Sequence, residues 1–171
     1  LSAAFRLKKC DLFIGWSGFS LHSLKKAKSN GAITILERGS SHIEFQRDIL
    51  KEEYEIHGIQ GDLPHPKLVE KELLEYECAD FISVPSLYVK NTFLAKGFPN
   101  HKLLHVPYGV ELSQFKSVVK EDNVFRVIHC GLVSIRKGCH YLLRAFSELN
   151  LQDVELWFVG DVLDEMAPFI E

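Results

Sequence analysis

At 171 residues, 46% hydrophobic and 25% charged, the chain has the makeup of ordinary globular material, long enough to bury a core in one domain or two incomplete ones. A formal charge of -3 argues against general nucleic-acid binding, and no run approaches the ~20 apolar residues of a membrane-spanning helix. The charge is uneven, however. Arg6, Lys8, Lys9, Lys25, Lys26 and Lys28 stand against a single acid, Asp11, so segment 6–28 reads either as a peripheral contact for anionic lipid head groups or as a solvated helix face.

Leu1 to Lys9 reads as the end of a helix and Asp11 to Trp16 as a strand. Leu21, Leu24 and Ala27 mark a short helix stopped near Asn30-Gly31, and Ile33 to Leu36 is the next strand, of the apolar parallel-sheet kind. Ser41 and Glu44 have capping-box spacing, which predicts a helix through about Ile56 with His42 at its first position. After a loop containing Gly61, Pro64 and Pro66 comes a helix from Lys67 to Glu77, whose Glu72, Glu75 and Glu77 read as a solvated face. Phe81 to Val84 is a strand, Ser86 an N-cap for a helix ending at Gly97, and His101 to Val106 another strand. Cys10, Cys78, Cys130 and Cys139 lack metal-ligand spacing, so a reduced, cytoplasmic setting is favoured and no metal site is expected; Cys130 and Cys139 are expected to pack as small apolar residues.

The richest stretch runs from Asp122 to Gly160. Phe125 to Cys130 suits a strand buried on both faces, and Gly131 ends it. Arg136-Lys137-Gly138 opens a helix with Leu142, Ala145, Phe146 and Leu149 on one face, and Val154 to Val159 is the second strand, closed by Gly160. Strand, helix and parallel strand of this length make a right-handed crossover. A glycine loop and helix start at the carboxyl end of the first strand offer backbone N–H groups, and Arg136 and Lys137 add charge, so a phosphate or diphosphate suits the place. Solvated basic residues are the plainer alternative.

Three groups of residues, in this order, carry a resemblance: Glu37-Arg38-Gly39-Ser40-Ser41-His42; Glu72, Glu75-Tyr76, Ala79-Asp80 and Pro85-Ser86; and Pro107-Tyr108-Gly109-Val110 with Phe115 and residues 124–160. Together they resemble the family 4 (group 1) glycosyltransferases. The resemblance implies α/β architecture of GT-B type, two Rossmann-like parallel-sheet domains, both incomplete in a chain about half the length of such an enzyme. Residues 1–108 would be the later part of the N-terminal, acceptor-side domain, 109–123 the linker, and 124–171 the start of the donor domain.

By the same resemblance, Gly131, Arg136, Lys137 and Gly138 would bind the donor phosphates, and Gly160 and Asp161 the donor nucleotide. His42 and Arg38 would face the acceptor or the sugar as catalytic residues. The implied function is retaining transfer of a sugar from a nucleoside-diphosphate sugar to a glycan, lipid or small-molecule acceptor. No cofactor or metal is obligatory. The family often has Arg directly after the glycine matched to Gly131; Leu132 stands there, and Arg136 is expected to replace that cation. The alternative is a catalytically silent glycosyltransferase-like binding subunit of a polysaccharide assembly complex. A dehydrogenase-type dinucleotide domain lacks its G-x-G-x-x-G here.

Overall fold

The computed structural model describes residues 2–149 and 151–170. The fold is α/β with two separate parallel sheets. The chain divides into two units: Leu1–Ile49 with Leu63–Val110, and Leu50–Asp62 with Glu111–Glu171.

The first unit contains α1 (Ser2–Arg6), β1 (Leu12–Trp16), α2 (Leu21–Ser29), β2 (Ile33–Glu37), the start of α3 (Ile43–His57), α4 (Pro66–Cys78), β3 (Phe81–Val84), α5 (Leu87–Ala95) and β4 (Leu103–His105). Its sheet runs β1-β2-β3-β4, with Leu12 opposite Ile33, Leu36 opposite Ile82 and Ile82 opposite Leu103. Period-two alternation sends Thr34, Leu36, Ile82 and Val84 inward. There they join Leu24 of α2, Val69 and Tyr76 of α4, and Val89 and Phe93 of α5. Each fully buried Leu, Val or Phe stabilises the unit by about 1.5–3 kcal/mol relative to exposure. Caps fix the helix starts: the Ser86 hydroxyl accepts from the Val89 amide at 3.2 Å, and His65 Nδ1 accepts from Lys67 just ahead of α4's opening proline.

The second unit holds α3 from Leu50 onward, β5 (Phe125–Cys130), a 3-10 turn at Ile135–Lys137, α6 (Cys139–Glu148), β6 (Val154–Val159) and α7 (Ala167–Ile170). β5 and β6 pair in parallel from Phe125 opposite Val154 to Cys130 opposite Val159. Leu50, Tyr54, Val133, Ile135, Cys139 and Met166 form its core.

Several expectations change. Segment Leu50–Asp62 belongs to the second unit, because Leu50 and Tyr54 pack in that core. β5 is not buried on both faces: Phe125 is exposed, and so are Ile128 and Cys130, which are two apart on one face, so no layer among the described residues covers that face fully. Cys139 alone of that cysteine pair packs in a core. On α6 the buried residues are Cys139 and His140, with Leu143 packed against the core, whereas Leu149 lies past the helix end and is exposed.

Candidate functional site

In the first unit the chemistry gathers at the end of β2. Its ladder runs one residue past the strand, as the Arg38 amide donates to the Ser83 carbonyl at 2.9 Å. Arg38 is buried, and its Nη1 meets Glu72 Oε2 at 2.7 Å. Its Nε and Nη2 both donate to the Ser41 carbonyl, at 3.1 and 3.0 Å, and Tyr76 donates to Glu72 at 2.7 Å. Burial pushes the Tyr76 phenol up. Gly39 follows, and a Cβ there would have to displace the tip of the exposed Tyr108 side chain, whose hydroxyl would lie 2.6 Å away.

His42 stands immediately before α3, not in its first turn. The capping is therefore done by His42 and not by the Ser41–Glu44 box: Nδ1 accepts from the Glu44 amide at 3.3 Å. The ring is 4% exposed and lies 5.1 Å from the Tyr76 ring and 5.0 Å from that of Phe93, centroid to centroid. Desolvation lowers its pKa to about 4, so the imidazole is neutral at pH 7. Both residues expected to face an acceptor are thus enclosed. Arg38 holds the loop onto α4, and His42 is a packed cap.

Glu72 and Glu75 overturn the expected solvated face, for both are buried. Glu75 accepts from the amides of Gly18, Ser20 and Leu21 at 2.5, 2.8 and 2.9 Å, capping α2 from a different helix. Those amides have no partner within α2, and the positive end of the helix dipole favours the carboxylate. Part of the basic segment is engaged too, as Lys28 pairs with Asp80 at 2.7 Å. Burial works against ionised Asp80, but the Lys28 and Thr34 hydrogen bonds hold its carboxyl below the ordinary value.

In the second unit Gly131, Gly160 and Asp161 come together. The Gly131 amide donates to Val159 and that of Val133 to Asp161, at 2.9 and 2.8 Å. Gly131 and Gly160 have φ of +130° and +150°, and a Cβ on Gly160 would sit 2.2 Å from the Gly131 carbonyl oxygen. The Gly131 amide is therefore spent on the sheet and is not a phosphate donor, contrary to expectation. The turn that follows exposes Arg136 and Lys137, and Gly138, at φ +70°, passes the chain into α6. Buried beside them is Ser134, whose Oγ has no partner. Glu165 accepts from the Ile135 amide at 2.9 Å and from the Tyr54 hydroxyl at 2.8 Å.

Compared with protein-family models, curated proteins and solved structures, the chain matches none. No helix among the described residues is long and apolar enough to cross a membrane.

Sequence reasoning missed Ser134 and Glu165 at this turn. Ser134 sat between apolar neighbours with no spacing signal. Glu165 acts through an amide thirty positions earlier, which no local pattern announces.

Proposed function

We propose that the protein is a retaining glycosyltransferase of GT-B type, moving a sugar from a nucleoside-diphosphate sugar to a glycan, lipid or small-molecule acceptor. The carrying observation is the turn after β5. At the carboxyl end of a parallel strand, where open α/β sheets bind ligands, two exposed cations follow within three residues of a buried hydroxyl that has no hydrogen-bond partner. Lys137 and Arg136 supply charge to a leaving diphosphate, Ser134 supplies a hydroxyl, and Gly138 supplies the left-handed turn, at φ +70°, that leads into α6. Positive charge fixed where negative charge develops lowers the barrier without a metal. Gly160 and Asp161, joined to this loop by the Val133–Asp161 hydrogen bond, are the residues for the nucleotide.

Titration calorimetry with UDP, GDP and ADP tests the reading. Lys137→Ala should weaken the preferred nucleotide by roughly ten- to a hundredfold, and Ser134→Ala by about three- to tenfold, the ranges for a charged and a neutral hydrogen bond. Both variants should melt near the wild type if their side chains serve ligand and not fold. Equal affinities in all three proteins would remove the donor site from this turn.

A second reading, a silent glycosyltransferase-like binding subunit, draws on one observation. The Gly131 and Ile135 amides are already taken, the latter by the Glu165 carboxylate, which leaves fewer donors for phosphate. Nucleotide binding without sugar transfer to any acceptor would favour it.

A further inference from the structure

Just past the turn, where α6 begins, the second unit holds a set of side chains that the glycosyl-transfer reading does not use. Glu53 and His57 lie four residues apart on α3, so one helical turn sets them on the same face. His140, in the first turn of α6, is 3% exposed and brings its Nε2 to 3.3 Å from Glu53 Oε2. His57 Nε2 lies 3.8 Å from the same carboxylate oxygen. One ligand atom from each residue falls within 4.8 Å of the others. The His57 Nε2 atom is buried yet has no hydrogen-bond partner, which in a folded protein calls for a cause.

We propose that Glu53, His57 and His140 form a binding site for a divalent transition-metal ion of the zinc class. A tetrahedral ion about 2.0–2.1 Å from each donor needs those donors roughly 3.4 Å apart, so the spacing present closes around an ion with small side-chain motions. Two imidazoles and one carboxylate suit zinc or cobalt(II), and exclude calcium and magnesium, which prefer all-oxygen shells. A fourth position stays open to water. The Tyr141 hydroxyl donates to Glu53 at 3.0 and 2.9 Å and steadies the carboxylate from outside.

One further feature agrees. The Phe169 ring lies 5.1 Å from His57 and 5.3 Å from His140, giving the cluster an apolar wall. His140 Nδ1 has no acceptor, so the outer support typical of a ligating histidine is incomplete and binding is weaker than in a purely structural zinc site. The ion would tie Glu53 and His57 to the start of α6, 87 residues on from Glu53. It would act as a cross-link within this unit.

Titration of the chelator-stripped protein with zinc chloride, and with cobalt(II) followed by visible absorption, provides the test. One ion per chain is expected, with a tetrahedral-type cobalt spectrum and a melting temperature that rises with zinc. His57→Ala, a partly exposed change that the fold should tolerate, should weaken zinc at least tenfold and remove the melting shift. The exposed His22→Ala should leave both unchanged. Absence of binding would overturn the site, as would equal zinc affinity in His57→Ala, because surface histidines would then account for the heat. Should His140→Ala fail to fold, Glu53→Gln provides the second ligand test, with the same tenfold loss expected.

Discussion

The two units treat buried polar groups differently. In the first, Arg38, Glu72, Tyr76 and Glu75 are all enclosed and all satisfied by partners within the protein. Among its described residues, only the Ser17 hydroxyl is a buried side-chain polar atom without a well-formed hydrogen bond. In the second unit Ser134 Oγ, His57 Nε2 and His140 Nδ1 are all left so. A satisfied network specifies one arrangement of helices, whereas a buried unsatisfied atom marks a place where something else can bind. The named polar residues of the first unit thus fasten helices and loops to one another, whereas three buried polar atoms of the second lack a partner within the protein.

Breaking the scaffold should have the largest effect. Glu72→Ala leaves Arg38 buried and unpaired, and should destabilise the protein by about 3–5 kcal/mol in urea titration. A loss under about 1 kcal/mol would mean that water reaches the guanidinium, and the contrast between the units would fail on its stronger side.

Gly160→Ala probes the second unit's backbone. The added Cβ meets the Gly131 carbonyl, at a φ that L residues rarely adopt, so a cost of at least about 2 kcal/mol is expected. Thermal melting with unchanged stability would show that the two glycine loops can part.

A smaller effect comes from pH. His42 binds a proton in the unfolded chain near pH 6.5 but in the folded protein only near pH 4. Its contribution is therefore complete above pH 6.5 and is lost as pH falls through the folded value, by on the order of 2 kcal/mol. Urea midpoints measured from pH 7.5 to 4 should decline over that window, and His42→Gln should flatten the decline. An identical slope in the variant would assign the acid sensitivity to other groups.

The strands were readable because they depend on local pattern. Phe81–Val84, Phe125–Cys130 and Val154–Val159 stand where apolar runs bounded by turn residues put them. Burial of β5 was misjudged, because a run of apolar residues does not say how many layers will cover it. The acids of α4 were misread for a related reason. Glu77 is exposed as expected, but Glu72 and Glu75 look equally solvated until Arg38 and the amides at Gly18, Ser20 and Leu21 arrive from elsewhere in the chain. Likewise, two of the three residues of the Glu53–His57–His140 cluster are visible as i, i+4 spacing, but the third is brought in only by packing. At the turn after β5 the charges were legible and the engaged amides were not, since a donor's availability depends on which carbonyl lies opposite it.

Glu75 also imposes an order of events. A chain leaving the ribosome presents β1, α2 and β2 well before residue 75 exists. Until then the opening amides of α2 have only water as a partner, and the early strand–helix–strand segment lacks its most distant fastening. When α4 forms, one carboxylate supplies three acceptances at once, across separations of more than fifty residues. Such a late, long-range closure makes acquisition of structure in this unit concerted, with α2 and α4 gaining protection from solvent exchange together.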